Sequence, residues 1–417
     1  MKNFVLGAVF FYLTTSFLSV SIEPSFMYLN YLFAGVLFLI SIPYFLKNNF
    51  VNYQFLRLLS LYYLAALFSI FFGFVALYVL EFEKIAFFDI ELYGRIFNVI
   101  LFSILSLSIV SLCDYKNYLT VRLVLLCYCV GCALLILTGY WQALSLYLGI
   151  GTFPFETRNW VHGFNKTDYD IEARLTGIAA EPSYFVPFVL DFIILSLIVF
   201  KSRSLKIIAF TFGIFAMMLS FSPSGYASTF LAFFLAMLFF VRPNSRTIKY
   251  LVAFIITMPF LLLLLISKVK NLGYVFDRLS NLSADGRFKS IYETLMQFFD
   301  SNIINLLFGY GVTNFKVATQ YTDYSALMTS NNLFADVLVE MGVVGFALIV
   351  ILLSSLFFSI YKSSINNFQK FLTYALFFDL LSTSMIRADY STSRFFIIIA
   401  IIFLLSKYDI YKKRVVK

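Results

Sequence analysis

Long apolar runs separated by short polar segments are the most regular pattern in this chain. A run of about 20 mostly apolar residues is long enough for an α-helix to cross the hydrocarbon core of a bilayer. We therefore predict an all-α integral membrane protein with about twelve transmembrane helices, forming a single polytopic domain over residues 1–417. The predicted spans lie near 4–22, 26–46, 56–80, 96–113, 119–140, 183–200, 206–222, 225–241, 248–267, 332–360, 369–386 and 393–407.

Positively charged residues are concentrated in alternate short connections between these spans. Examples are KNNFVNYQFLR, DYKNYLTVR and KSRSLK, whereas the connection EFEKIAFFDIELYGR is net acidic. Short loops rich in Lys and Arg stay on the cytoplasmic side of a membrane, so both termini are predicted inside. Two longer segments, residues 150–182 and 268–331, then lie outside the cytoplasm.

The composition agrees with a membrane domain. Hydrophobic residues make up 61% of the chain and charged residues 13%, against about 25% charged residues in a typical soluble protein. The 31 Lys and Arg residues give a formal net charge of +9, but they are scattered in short clusters between apolar runs. Because nucleic-acid-binding proteins concentrate their basic residues on one surface, we expect no nucleic-acid partner.

The sequence offers no pattern for a metal or a nucleotide. Cys127, Cys129 and Cys132 lie inside an apolar run, where thiols behave as small hydrophobic groups, and His162 is the single histidine. No Walker loop, GxSxG elbow or GxGxxG turn occurs. We therefore expect no metal and no cofactor.

The segment DGRFKSIYETLMQFF predicts a helix within the second long loop. Phe288, Ile291, Leu295, Phe298 and Phe299 follow helical spacing, which is typical of a helix lying flat on a membrane surface. Arg287, at the start of this helix, could bind phosphate oxygens bidentately. Alternatively, its cations could simply meet anionic lipid headgroups.

The first long loop ends in IEARLTGIAAEPSYF, which leads into the sixth predicted span. Pro182 suits the first position of a helix, which puts Glu181 at the helix N-terminus, and Tyr184 follows within the first turn. Two interpretations are open from the residues alone. Glu181 and Arg174 are either a helix cap and a headgroup anchor, or part of a binding site.

Further polar residues lie in the last three spans and their connections. Asn332, Asp336 and Glu340 recur every four residues on one helical face, which must therefore face protein or a water-filled cavity. Arg387 and Arg394 belong to RADYSTSR, which is either a solvated turn or part of a site. Asp191 and Asp379, inside predicted spans, could serve an ion-coupled transporter.

The order of these segments resembles that of the O-antigen polymerase and O-antigen ligase family of bacterial envelope biosynthesis. The segments are, in chain order, RLTGIAAEPSYF, LSFSPSGYAS, DGRF, LLFGYGVTNF and SNNLFADVLVEMGVVG. The resemblance covers about residues 170–400. It carries the family's R-x-x-G arginine to Arg174, its loop arginine to Arg287, and its E-x-G-x-x-G helix to Glu340, Gly342 and Gly345.

This resemblance implies an inverting glycosyltransferase in the bacterial inner membrane, with a GT-C-like helical fold and an active site facing the periplasm. Its donor would be a glycan carried on undecaprenyl pyrophosphate, bound among membrane lipids beneath the large periplasmic loop. A chain-length regulator is a candidate partner. Ligases of the family usually carry His-Asn at the start of the tenth span, where this chain has Ser330, Asn331 and Asn332, and this departure favours a polymerase.

The expected reaction transfers a growing glycan from its lipid pyrophosphate to another lipid-linked repeat unit. We expect Arg174 and Arg287 to neutralise the departing pyrophosphate and Glu181 to act as the base. The residues expected to bind substrate are Tyr184, Asn331, Asn332, Asp336, Glu340, Arg387 and Arg394. Three alternatives stay open: a ligase with lipid A-core as acceptor, a flippase of the same pathway, and a structural scaffold.

Overall fold

The fold of the described part of the chain is entirely helical. The computed structural model describes residues 2–45, 52–80, 90–114, 119–155, 174–240, 286–312, 314–316, 329–387 and 389–407. Within these ranges no strand occurs, and one isolated antiparallel bridge joins Ser21 to Ala179. The helices are α1 (Lys2–Thr14), α2 (Pro24–Phe45), α3 (Tyr53–Phe74), α4 (Ile90–Asp114), α5 (Val121–Leu148), α6 (Pro182–Val199), α7 (Arg203–Leu219), α8 (Pro223–Phe240), α9 (Gly286–Phe299), α10 (Ile303–Phe308), α11 (Leu333–Tyr361), α12 (Asn367–Ser384) and α13 (Ser393–Ser406).

Every predicted span that falls on described residues coincides with one of these helices, whereas the span predicted near 248–267 lies outside them. Eight helices of the described part are long and apolar enough to cross a membrane. Helix α13, with 14 residues, is shorter than a typical span. The protein is therefore an all-α, multi-pass membrane protein, while the total of twelve spans and their orientation stay predictions.

The predicted loop helix is confirmed as α9. Phe298 packs in a small apolar cluster with Tyr310, Phe315 and Val339, so part of the predicted apolar stripe faces the protein. Phe299 is instead exposed, because it lies 100° further round the helix than Phe298. The helix therefore contacts the bundle along one face, and its placement on a membrane surface stays a prediction.

Within each described stretch, consecutive long helices run in opposite directions, so their ends collect at two ends of the bundle. Helices α4, α6, α8, α11 and α13 begin at one end, where α1, α3, α5, α7 and α12 finish. Several contacts fix this arrangement, including those of Asn332 on α11 with Met385 after α12, and of Ser393 on α13 with Ser19 after α1. We call this end the site end, and the other the opposite end.

Helix α11 is broken at Gly342, whose φ of 66° and ψ of −175° are not helical. The carbonyls of Val339 and Glu340, next to the break, accept hydrogen bonds from the backbone amides of Tyr310 (3.1 Å) and Gly311 (2.9 Å). A backbone polar group without a hydrogen-bond partner costs roughly several kcal/mol in a bilayer. The carbonyls at a break in a helix therefore need donors from another segment. The segment after α10 therefore completes the hydrogen bonding of the broken helix.

Residues 303–312, which we call the docked segment, lie between α3 and α11. Phe308 stacks on Phe72 with ring centroids 3.8 Å apart, and the amide of Val312 donates to Ser69 Oγ at 2.9 Å. A Cβ atom on Gly73 would lie 2.8 Å from the carbonyl oxygen of Tyr310. The approach of the two backbones therefore requires glycine at position 73.

We predict that Gly342→Ala lowers the thermal stability of the purified protein. The new Cβ would lie 2.4 Å from the backbone of Leu307. The positive φ with an extended ψ, a region essentially confined to glycine, costs another residue about 1–3 kcal/mol. The matched control is Gly35→Ala, in α2, whose Cβ would meet nothing within 4 Å. Equal melting temperatures in detergent for the two variants would contradict the docking of residues 303–312 against α11.

Candidate functional site

The segment before α6 is fixed against the end of α5. Gln142 Oε1 accepts hydrogen bonds from the backbone amides of Thr176 and Gly177, each at 2.8 Å. Gly177 has a φ of 57°, and a Cβ there would lie 2.4 Å from Thr138 Oγ1. The glycine of the R-x-x-G segment therefore serves a left-handed turn packed against a neighbouring helix. This turn determines where Arg174 and Glu181 lie.

Glu181 is the N-cap residue of α6, as Pro182 predicts, but its carboxylate makes no capping hydrogen bond. The carboxylate is partly buried, and its Oε2 accepts from Ser183 Oγ at 3.3 Å. Arg174 is also partly buried and lies within electrostatic range of Tyr226 on α8. Both candidate residues therefore lie at the site end, next to the start of α6 and α8.

Arg387 joins them from the connection between α12 and α13. Its guanidinium carbon lies 3.9 Å from the centre of the Tyr184 ring, in a cation–π contact. The side chain is buried, which contradicts the interpretation of RADYSTSR as a solvated turn. Tyr184 lies one turn into α6, so the contact holds Arg387 beside the helix that begins at Glu181.

The polar residues at the start of α11 stabilise the turn that precedes this helix. Asn332 caps the helix through Oδ1 and donates from Nδ2 to the carbonyl of Met385 at 3.1 Å. Asn331 adopts a left-handed φ of 60°. Asp336 accepts from the amide of Ser330 at 2.8 Å and from the hydroxyls of Ser330 and Thr329. These contacts place Asp336 in a capping turn rather than in an open cavity.

Glu340 belongs to a buried network that the sequence did not reveal. Its carboxylate accepts a hydrogen bond from the Tyr390 hydroxyl and lies 3.7 Å from Arg95 Nη1. Arg95 Nη2 also donates to the hydroxyl oxygen of Tyr390 at 2.6 Å. The Tyr62 hydroxyl donates to the backbone carbonyl of Tyr390 at 3.1 Å. The network therefore joins α3, α4, α11 and the connection that carries Arg387.

Tyr390 lies in the connection between α12 and α13, in the short 3-10 helix Asp389–Ser391. Burial raises the pKa of its hydroxyl well above the ordinary value of 10.0; Arg95 lowers that pKa and Glu340 raises it. The hydroxyl therefore keeps its proton at physiological pH, and it can donate that proton to Glu340. Arg95 ends the net acidic segment EFEKIAFFDIELYGR, and the sequence signal that marks it is its place as an arginine at the start of a long apolar run.

Arg394, in the first turn of α13, belongs to a second buried network. Its Nε and Nη2 donate to the two carboxylate oxygens of Asp191 at 2.8 and 3.1 Å, and Nη2 also donates to Asp379 at 2.8 Å. Tyr128 donates to Asp191 at 2.8 Å, and Thr383 accepts from Arg394 Nη1 at 3.0 Å. The Arg394 side chain is 1% exposed, so in this geometry its guanidinium binds the protein rather than a substrate.

The remaining candidates lie partly or wholly outside the described residues. Arg287 is in the first turn of α9, but its side chain is not among the described ones, and His162 lies outside them altogether. Within the described part, no group of three or more His, Cys, Asp or Glu side chains could hold a metal ion. Cys127, Cys129 and Cys132 are buried free thiols.

We predict a graded loss of folded protein when the Arg394 network is cut. Removing one member of a buried ion pair costs about 3–5 kcal/mol, because the partner charge stays buried. Arg394→Leu leaves two buried carboxylates and should be the worst variant. Asp191→Asn removes the carboxylate that binds Arg394 through both oxygens and should be intermediate. Asp379→Asn keeps that Arg394–Asp191 ion pair and should be the mildest.

The yield of monodisperse protein in size-exclusion chromatography measures this order. Arg203→Ala, which removes an exposed arginine at the opposite end, is the control and should give the wild-type yield. A wild-type yield of Arg394→Leu would show that the network is not structural and would return Arg394 to the substrate-binding residues.

Comparison with known proteins adds one finding. Residues 208–350, from α7 to the middle of α11, match the family described as O-antigen ligase. No curated protein sequence matches this chain. The matched region contains α9, the docked segment and the broken helix with Glu340 and Gly342. Together with the order of the sequence motifs, the match supports assignment of the chain to the O-antigen polymerase and ligase family.

Proposed function

We propose that this protein polymerises lipid-linked oligosaccharide repeat units into O-antigen or a related surface polysaccharide. The donor would be a glycan on undecaprenyl pyrophosphate, and the site would face the periplasm from the bacterial inner membrane. The observation that carries the proposal is the convergence of Arg174, Glu181 and Arg387 at one end of the bundle. The family match supports it, because both members of that family transfer a lipid-linked glycan.

Two features of the site suit a pyrophosphate leaving group. Arginine binds phosphate oxygens bidentately, and a preorganised cation stabilises the negative charge that develops as the leaving group departs. The turn at Gly177 fixes the backbone that follows Arg174, and the Arg387 guanidinium is held by its contact with Tyr184. Arg287, at the start of α9, would complete the clamp from the loop side. We leave Arg394 out, because its donors already bind Asp191 and Asp379.

Glu181 is our candidate for the general base. In the proposed step, a hydroxyl of the non-reducing sugar of one lipid-linked repeat attacks the anomeric carbon of the donor glycan. The bond from that carbon to the pyrophosphate oxygen breaks, the pyrophosphate lipid leaves, and the hydroxyl proton passes to the carboxylate. Glu181 suits this role because its carboxylate is not used to cap α6, although the residue lies at the N-cap.

We expect Arg174→Ala, Arg287→Ala and Glu181→Gln to abolish polymerisation. The assay complements a strain that lacks its polymerase with this gene and its native glycan cluster, and the polysaccharide is separated on a gel. Wild type should give a ladder, and each variant should give the single-repeat product. Loss of one preorganised charge or base typically lowers the rate about 10²–10⁴-fold, which is enough to remove the ladder.

The control for the arginines is again Arg203→Ala, which removes one positive charge at the opposite end. All variants are compared at equal membrane protein levels, measured by immunoblot. A full ladder from Glu181→Gln would mean that Glu181 is not the base. Full ladders from all three variants would exclude this site and favour a scaffold.

Ligation is the second candidate, because the matched family carries the description O-antigen ligase. Ser330, Asn331 and Asn332, in place of His-Asn, favour the polymerase. We expect purified protein with a lipid-linked repeat donor to elongate a second lipid-linked repeat and to leave lipid A-core unmodified. The reverse acceptor preference, read by mass spectrometry of the products, would make the protein a ligase, and transport of the donor without any transfer would make it a flippase.

A further inference from the structure

A cavity lies at the opposite end of the bundle, away from the residues of the candidate site. It has a volume of about 410 Å³ and lies where α11 and α13 finish. Its lining is mostly polar, although both helices are strongly apolar along their length. The lining residues are Ser355, Phe358, Ser359, Lys362, Ser363, Ser364, Ser406 and Lys407.

Two lysines give this cavity a positive charge. Lys362 and Lys407 are the C-cap residues of α11 and α13, where a helix end favours a cation. Among the described residues, neither ammonium group has a hydrogen-bond or ion-pair partner. Lys370, nearby, differs because its Nζ donates to the carbonyls of Tyr361 and Ser363. Each helix end carries a partial negative charge of about half an elementary charge, so the two ammonium groups outweigh the two helix ends. The cavity therefore keeps a net positive charge that can bind an anion.

Four of the five serines that line the cavity provide acceptors rather than donors. The hydroxyls of Ser355, Ser359, Ser363 and Ser406 each donate to a carbonyl of their own helix, so their oxygen atoms can accept a further hydrogen bond. A fully ionised inorganic phosphate has no hydrogen-bond donor for these serine oxygens. A phosphodiester that also carries free hydroxyl groups matches both the lysines and the serines.

The position of the cavity indicates that this anion belongs to a lipid. Phe358 lines the cavity and is 55% exposed, and Tyr361, also near the end of α11, is 65% exposed. Helix α11 has 29 residues and is apolar enough to cross a membrane, so its end lies near the level of the lipid headgroups. Acyl chains can pack along the exposed aromatic rings while the headgroup enters the cavity.

We infer that the cavity between the ends of α11 and α13 binds the headgroup of an anionic phospholipid with a hydroxyl-bearing head, such as a phosphatidylglycerol. Lys362 and Lys407 bind its phosphate, and the serine oxygens accept from its hydroxyls. The site is separate from the proposed transfer reaction and does not depend on it. Under the predicted orientation it would face the cytoplasm.

The test uses the full chain, purified in detergent and stripped of lipid. Its thermal stability is measured with phosphatidylglycerol, with phosphatidylcholine of the same acyl chains, and with glycerol 3-phosphate. We expect phosphatidylglycerol alone to raise the melting temperature of wild type. Each lysine near a lipid phosphate contributes a factor of about five in affinity, so Lys362→Gln/Lys407→Gln should weaken this binding roughly 30-fold.

The matched control is Lys201→Gln/Arg203→Gln, which removes two exposed charges from the same end. It should bind phosphatidylglycerol as wild type does. Equal weakening in the two double variants would mean diffuse attraction to the surface and would overturn the site. An equal response to glycerol 3-phosphate would make it a site for soluble anions and would overturn the lipid assignment.

Native mass spectrometry provides a second measurement in case Lys362→Gln/Lys407→Gln unfolds on heating without lipid. This measurement uses the single variant Lys362→Gln. We expect one phosphatidylglycerol to stay bound to wild type and to the control at collision energies that release it from Lys362→Gln. Equal retention by all three proteins would overturn the proposal.

Discussion

The break in α11 at Gly342 is the constraint on which the site end of the molecule depends. A backbone carbonyl inside a membrane protein must find a donor, and the carbonyls of Val339 and Glu340 find theirs on Tyr310 and Gly311. Close approach of the two backbones requires Gly309 and Gly342, because a Cβ on either would collide with the other segment. The loop that follows α9 is therefore part of the bundle, joined to it by main-chain hydrogen bonds.

Glu340 connects this break to the candidate site. Its carbonyl accepts from the docked segment, and its carboxylate accepts from Tyr390, three residues after Arg387. The loop with α9 and the connection with Arg387 are thus held by one residue. A site that binds a lipid pyrophosphate benefits from such an arrangement, because cations fixed before the substrate arrives stabilise its charge without reorganising.

Two buried charge networks stand side by side in this bundle, and their surroundings separate their roles. Arg394 is enclosed by Asp191, Asp379 and Thr383 and holds α6, α12 and α13 together. Arg95 is less enclosed, because 19% of its side chain is exposed. Charges are costly at membrane depth unless they are paired, and both networks meet this condition. The arginines that we propose for a substrate, Arg174 and Arg387, lie outside both networks.

The sequence by itself determined the helices and several of their ends. Apolar runs located the spans on described residues, the spacing of Ile291, Leu295 and Phe298 located α9, and Pro182 placed Glu181 at the start of α6. These features are local, because hydropathy and capping depend on a residue and its near neighbours along the chain. The resemblance to a glycan-transferring family also rested on short motifs in a fixed order.

Only the tertiary structure decided which polar residues meet. Arg394 pairs with Asp191, 203 positions away, and Arg95 meets Tyr390, 295 positions away. Asp336 shares a helical face with Glu340, yet it caps a turn while Glu340 joins a network. Such pairings depend on how each helix is rotated and which neighbour packs against it. Hydropathy reports the length of a span in the bilayer but leaves that rotation open, because lipid and a neighbouring helix are equally apolar.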